Sequence, residues 1–326
     1  MAISRRHLFG LALAAAATLG VAPTVAAAAD YPSRPITLIV PFPAGGGTDT
    51  HLRVLSELVS KELGQPVTVE NKGGASGTLG PATMAATAKP DGYTLSQMPA
   101  TVYRLPFIQK TSFDPKTDFT YILQLTGYAF AVAVKADAPW QTWQELLDYA
   151  KANPGKVSYS TSGAGGTQHI TMEQIAKKLG IKWIHVPYKG GGEQNAALLG
   201  GHTTLSAAST GTLGGLADAG NIRLLVMWTP TRLERFPDVP TLREEGIDMV
   251  VTSPYGIAGP AGMDPAIVKT LHDAFLKATK DPAHAEIMRK IGFVEDYLGT
   301  DDYEKFVMQF IDEQKAMVEE LGLSKK

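Results

Sequence analysis

From Ile36 to Trp228 the chain repeats one pattern: a short apolar run, a glycine-rich break, then apolar residues at helical spacing. Ile36-Thr37-Leu38-Ile39-Val40 suits a buried parallel strand. Pro41 to Gly47 interrupts it. From Thr48 onward Leu52, Leu55, Val59 and Leu63 share one helical face, and Gly64 supplies the stop. Val67-Thr68-Val69 reads as a second strand, Gly73 to Gly77 as a break, about Thr78 to Ala88 as a helix, and Tyr93-Thr94-Leu95 as a third strand. This β-α-β-α-β order is that of a doubly wound sheet. The pattern then restarts. Thr142-x-x-Glu145 is a capping box that opens a helix to about Asn153. Val157 to Ser160 is a strand, followed by Gly163 to Gly166 and a helix from Thr167 to Leu179 that ends at Gly180. Trp183 to Val186 is a strand, followed by Gly190 to Gly192 and a helix through Leu199. Leu205 to Ala208 and Leu224 to Trp228 are further strands. Asp264-Pro265 and Asp281-Pro282 each set a capping acid before a first-turn proline, so two helices start there; a last helix covers about Asp301 to Leu321. The long apolar stretches Tyr121 to Val134 and Met249 to Ala258 are suited to crossing between two halves.

Four glycine loops, Gly45 to Gly47, Gly73 to Gly77, Gly163 to Gly166 and Gly190 to Gly192, each follow a predicted strand and precede a predicted helix. In an open α/β sheet that is the carboxyl end of the strands, where ligands bind. Glycine lets the backbone approach a ligand closely and adopt positive φ. The free N–H groups and positive dipole end of each following helix then favour an anion. Ordinary tight turns explain any one such loop. Four at equivalent positions are more specific than any member.

Composition narrows the class. The chain has 326 residues with 44% hydrophobic and 19% charged, which excludes a disordered or collagenous chain. It has 33 Gly and no Cys, so no disulfide, thiol nucleophile, Cys-ligated zinc or Fe–S cluster is available. A net charge of −2 offers no basic excess for nucleic acid. Residues 1–29 read as an export signal: Ser4-Arg5-Arg6-His7-Leu8-Phe9, an Ala/Leu-rich run to Ala29, and Ala27-Ala28-Ala29 before Asp30. The paired arginines resemble a twin-arginine signal; a general secretory signal is the alternative. No later run approaches the 18 or so apolar residues of a membrane span, so a soluble mature protein is expected.

Enzyme motifs fail against the glycine loops. The Gly-Lys dipeptide Gly155-Lys156 is followed by Val157, not by the Ser or Thr of a P-loop. Gly163-x-Gly165 meets Gln168 where a dinucleotide fingerprint needs glycine, and Gly45-x-Gly47 meets Thr50. Ser76 follows Gly74 but precedes Thr78, so it is no nucleophile elbow, and no H-E-x-x-H is present. No metal site, catalytic residue or cofactor is expected. His169, near a helix start, has a structural and a ligand-contact reading, and His185 reads as core. Asp49 serves as a helix-terminal acid or else holds the first glycine loop or pairs with a ligand amine.

The chain resembles the tripartite tricarboxylate transporter substrate-binding proteins, the periplasmic Bug or TctC-like family. The carrying segments are Tyr31-Pro32-x-x-Pro35, Ile39-Val40-Pro41-Phe42-x-x-Gly45-Gly46-x-x-Asp49, Val69-Glu70-Asn71-x-x-Gly74-Ala75-x-Gly77 and Pro90-Asp91-Gly92-Tyr93-Thr94-Leu95. Further along are Gly165-Gly166-Thr167, Val186-Pro187-Tyr188-Lys189-Gly190 and Pro237-Asp238-Val239-Pro240-Thr241, all in family order. The resemblance implies a two-lobed α/β periplasmic binding fold of type II, a Venus flytrap with a doubly wound sheet in each lobe and a crossing-strand hinge. The implied division is 30–127 with 252–326 for the first lobe and 128–251 for the second. It implies a small organic carboxylate as ligand, handed to membrane permease subunits; a monomer is expected, and presenting ligand to a sensor kinase is a third role open to the same fold.

Carried over by position, the resemblance assigns first-lobe ligand contacts to Phe42, Pro43, Ala44, Gly45, Gly46, Thr48, Asp49, Gly74, Ala75, Ser76, Gly77 and Thr101. It assigns second-lobe contacts to Ser162, Gly163, Ala164, Gly165, Gly166, Thr167, His169, Tyr188 and Ser209, with Tyr255 as a ring-stacking candidate. The stretch Thr203 to Thr210 departs from the family, carrying hydroxyls where many members have an acid. This fits a second carboxylate better than an ammonium, so a dicarboxylate, aliphatic or aromatic, is expected. The alternative is a secreted α/β enzyme acting on a small anionic substrate.

Overall fold

The apolar runs become strands of two mixed sheets, and the glycine breaks become the turns that feed the helices between them. The computed structural model describes residues 31–251 and 253–325. The expected export segment, residues 1–29, lies outside the described residues. Pro32 to the C-terminus is one compact unit holding both sheets.

The chain first runs β1 (Ile36–Val40), α1 (Gly47–Leu63), β2 (Val67–Asn71), α2 (Leu79–Thr87), β3 (Thr94–Pro99), α3 (Thr101–Ile108) and β4 (Phe119–Tyr128). It crosses at Ala129 into β5 (Phe130–Lys135), α4 (Trp143–Ala152), β6 (Ser158–Thr161), α5 (Thr167–Leu179), β7 (Ile184–Pro187), α6 (Gly191–Leu199), β8 (Leu205–Ser209), α7 (Thr210–Asp218) and β9 (Ile222–Met227). It returns through β10 (Ser253–Pro260), α8 (Pro265–Ala278), α9 (Pro282–Ile291), β11 (Val294–Leu298) and α10 (Thr300–Glu320). The first sheet has the order β11-β4-β10-β3-β1-β2 and the second β7-β6-β8-β5-β9. In the first, β1 pairs parallel with β2 and β3, while β10 runs antiparallel to β3 and β4. In the second, β6 pairs parallel with β7 and β8, while β5 runs antiparallel to β8 and β9. The two apolar stretches expected to cross do so: Tyr121 to Val134 is split between the sheets, and the second leads from Val251, bonded to the Trp228 carbonyl, into β10.

Local chemistry explains the elements. The stripe Leu52, Leu55 and Val59 of α1 is fully buried, each side chain contributing about 1.5–3 kcal/mol relative to exposure, and Gly64 closes the helix with φ 66°. The Thr142–Glu145 capping box forms in both directions, and Asp264 and Asp281 accept the amides of Ala266 and Ala283. Three elements are not among the sequence expectations. α3 carries an internal proline, Pro106. α7 holds Gly211, Gly214 and Gly215, which lower helix propensity, and β11 is half exposed and mostly polar.

Candidate functional site

A cavity of about 320 Å³ opens between the sheets where the carboxyl ends of the strands meet. Five helices direct their N-termini at it. Gly46, Gly47 and Thr48 of α1 and Ala100 and Thr101 of α3 line it from the first lobe. Gly166, Thr167 and Gln168 of α5, Gly190 to Asn195 of α6, and Ser209, Gly211 and Thr212 of α7 line it from the second. None of these five N-termini has a side-chain cap; away from the cavity α4, α8 and α9 are capped by Thr or Asp, while α2 and α10 are not. An uncapped helix start leaves N–H groups without an intrahelical partner. Gathered around one cavity, they form a donor set for an anion, with about +0.5 elementary charge per helix end. Among the described residues the lining holds no Lys or Arg, and Glu193 is its one carboxylate, accepting the Lys189 amide at 3.0 Å.

The walls between these ends are apolar. Phe42, Pro43 and Pro99 stand on one side, and Tyr128 and Phe130 form a floor at the crossing point. Tyr128 is fixed: its hydroxyl meets Thr48 Oγ1 at 2.8 Å, and its ring packs edge-on against Phe293 at 4.9 Å and Tyr255 at 5.1 Å. Phe130 leans on Trp228 with ring centroids 5.6 Å apart.

The loops are braced from behind. Asp49 is buried beneath the first glycine loop, where Oδ2 accepts the Gly45 amide at 2.8 Å and Arg53 Nε at 3.0 Å, and Oδ1 accepts Asn71 Nδ2 at 2.8 Å. Burial works against its charge, but the donors from Arg53, Gly45 and Asn71 outweigh that and hold the carboxyl below 3.8. Of the readings open in the sequence, the structure thus shows Asp49 holding the loop. On the second lobe His169 Nδ1 accepts the Gly165 amide at 3.1 Å, and its ring stacks on His185 with centroids 4.0 Å apart. His185 Nε2 meets Thr161 Oγ1 at 2.6 Å, and that oxygen in turn receives the Gly163 amide at 3.3 Å. Burial pushes His185 down to about 3, with His169 adding to the effect. Burial also lowers His169, opposed by Glu173 and helped by Arg104. Both rings are therefore neutral props of the glycine loop.

Behind the floor lies a second histidine pair. His51 is fully buried; its Nδ1 lies 3.0 Å from the Tyr255 hydroxyl and its Nε2 lies 3.0 Å from His284 Nε2. Burial, then His284, pushes its pKa down to about 3. With His284 hydrogen-bonded to the Thr279 backbone, the network assigns one direction: Tyr255 donates to His51, and His51 donates to His284.

The lobes touch across the cavity, and this accounts for several glycines differently from ligand approach. Ser76 Oγ donates to the Ala164 carbonyl at 2.7 Å. A Cβ on Gly163 would stand 2.3 Å from Ser76 Oγ, one on Gly190 2.8 Å from Pro43 Cδ, and one on Gly47 3.0 Å from Gly211 Cα. Among the residues expected from sequence, Phe42, Pro43, Ala44, Gly45, Gly46, Thr48, Ser76, Thr101, Ser162, Gly166, Thr167 and Ser209 come together in the lining. Asp49 and His169 lie behind it, while Gly163, Ala164 and Gly165 face Ser76, Arg104 and Ile108 on the other lobe. Gly74 and Gly77 pack under Leu79 and Phe42; Ala75 and Tyr188 are likewise outside the lining, and Tyr255 is a fully buried partner of His51. The Gly190–Gly192 loop lines it as its place after a strand implied, while Tyr128, Phe130, Ser253, Gln168, Glu193, Gln194, Asn195 and Thr212 line the cavity beyond the sequence expectations. The signal for Tyr128 and Phe130 was the strand crossing at Tyr121 to Val134, whose midpoint is this floor.

Comparison with known proteins agrees with this geometry. A model of the tripartite tricarboxylate transporter family receptor matches residues 51–323. The UPF0065 protein in the gbd 5' region of Cupriavidus necator is 47% identical over 99% of both chains. An R. palustris protein solved with adipate is 26% identical with TM-score 0.86, covering 90% of this chain and 99% of its own. MatC from Rhodopseudomonas palustris, with bound malate, is 26% identical with TM-score 0.81, covering 88% and 100%. Sequence, two-lobed fold and cavity together place the chain in the tripartite tricarboxylate transporter receptor family of periplasmic solute-binding proteins.

Proposed function

We propose that the protein captures a small organic dicarboxylate between its lobes in the periplasm and delivers it to a tripartite tricarboxylate-type permease. The observation that carries this reading is the convergence of five uncapped helix N-termini on a cavity whose lining, among the described residues, holds no lysine or arginine. Hydrogen bonds to a charged acceptor are worth about 1.5–3 kcal/mol each. Micromolar binding needs ~8 kcal/mol net of association costs, so several such bonds act together with burial of the ligand's hydrocarbon body. The adipate and malate held by the two R. palustris neighbours support a dicarboxylate. The apolar floor of Tyr128 and Phe130 suits a hydrocarbon body, aliphatic or aromatic.

Mechanism follows from the contacts across the cavity. Ligand groups that bond to helix ends in both lobes stabilise the state in which Ser76 meets Ala164 and α1 meets α7. The protein binds and releases without turnover. Calorimetry of the mature protein against adipate, malate, succinate and an aromatic dicarboxylate tests the reading. Micromolar or tighter binding of one of them is expected. No heat and no thermal shift with any carboxylate would refute it, and a chemically altered ligand after incubation would refute the absence of turnover.

A further inference from the structure

We infer that Arg104 is a positioning residue that couples ligand charge to lobe closure: its guanidinium, held between the lobes behind the Gly163–Gly166 loop, takes the bound carboxylate as its counter-charge. This rests on the carboxylate reading of the cavity. Arg104 lies one turn into α3, whose first residues, Ala100 and Thr101, line the cavity. It is 3% exposed. Its Nε donates to Gln314 Oε1 of α10 at 2.7 Å, and its Nη1 donates across the lobe boundary to the Gly165 carbonyl at 2.9 Å. The next residue, Gly166, lines the cavity.

Among the described residues no acid forms an ion pair with Arg104, whereas Arg34, Arg53, Arg232, Arg235 and Arg243 each have one. Burial lowers its pKa to about 9, which leaves it charged at neutral pH. His169, the titratable neighbour on the second lobe, is neutral and offers no negative charge. Buried charges are normally paired, because an unpaired one loses its hydration without compensation. The protein therefore buries this cation with dipoles alone, one peptide away from a cavity built for an anion. In a low-dielectric interior a carboxylate beyond that peptide attracts the guanidinium strongly. The bond to Gly165 exists only while the lobes are together, so an anion in the cavity favours the same state that buries Arg104.

The test uses the mature protein with adipate as probe, read by calorimetric Kd, by the change in radius of gyration on binding, and by Tm without ligand. R104Q and R104M are expected to weaken adipate at least about tenfold, which is ~1.4 kcal/mol, and to shrink the ligand-induced compaction. R104K is expected to retain most of both. Gln314→Glu gives the sharper readout, because it sets a carboxylate beside the guanidinium and supplies the missing counter-charge from the protein. It is expected to keep or raise Tm while weakening adipate several-fold, and it remains informative should R104M or R104Q fail to fold. A lowered Tm with wild-type Kd and compaction in R104Q, or an unchanged Kd in Q314E, would overturn the inference. A wild-type protein that binds no carboxylate would instead refute the reading beneath it.

Discussion

Gly163→Ala isolates the contact between the lobes. Gly163 has φ 138°, and an added Cβ would stand 2.3 Å from Ser76 Oγ, 2.8 Å from Ser76 Cβ and 2.9 Å from Ser76 Cα. The hydroxyl can rotate away, but Ser76 Cβ and Cα cannot, so the lobes must separate locally. Overpacking of this kind costs about 1–3 kcal/mol. Separation also loses the Ser76 to Ala164 hydrogen bond, about 0.5–1.5 kcal/mol. Both terms fall on closure alone. The backbone strain of alanine at this φ, about 1–3 kcal/mol, weakens the fold but acts whether or not the lobes meet. The closure terms total about 1.5–4.5 kcal/mol, a rise in Kd of roughly tenfold to a thousandfold. Calorimetry with adipate reads this, and thermal unfolding confirms that the variant is folded. Because Ser76 is the group struck, and already sits at φ 56° where glycine is at ease, Ser76→Gly in the same chain should restore part of the affinity. Wild-type Kd in G163A, or no relief from S76G, would refute the reasoning.

Asp49→Ala should lower stability by about 1–3 kcal/mol and weaken adipate several-fold, since the first glycine loop loses its buried acceptor while the exposed Gly45 and Arg53 donors turn to water. The Asp49 carboxyl titrates below its unfolded value of 3.8, so its stabilisation is full above that pH and is lost as pH falls through the lower folded value; D49A should flatten acid unfolding there. His169 titrates below 6.5 because burial dominates, with Glu173 opposing and Arg104 and stacked His185 alongside. The stability held by neutral His169 is full above 6.5 and falls with pH through its folded value, where a proton on Nδ1 confronts the Gly165 amide. Adipate affinity should fall over the same window, and His169→Gln, whose carbonyl still accepts, should flatten that part of the Kd profile. His51→Leu leaves the Tyr255 hydroxyl and His284 Nε2 unpaired, about 1–3 kcal/mol each, so Tm should drop by about 5–10 °C with Kd changed less than threefold.

Much of the fold was legible because its signals are local. The α5 bounds, Thr167 to Leu179, and the acid-proline starts of α8 and α9 follow from caps and a terminal glycine. α3 and α7 escaped because Pro106 and the Gly211, Gly214 and Gly215 run oppose helix, and only packing against β3, α10 and α9 decides them. The cavity loops were legible as a set, because glycine after a strand and before a helix marks one end of a sheet. What each glycine does was not. Gly45 turns the loop over Asp49, while Gly163 and Gly190 make room for the opposite lobe, and that difference exists only once the lobes meet. The aromatic floor was hidden for the same reason, since Tyr128 and Phe130 read as ordinary strand residues until the sheets diverge at Ala129.

The most direct test of the account is small-angle scattering on the mature protein, recorded alongside calorimetry with saturating adipate, malate and the neutral isostere adipamide. Capture by helix ends in both lobes predicts that a dicarboxylate binds and reduces the radius of gyration, while adipamide does neither. Equal binding of adipamide, or carboxylate binding with no compaction, would contradict it.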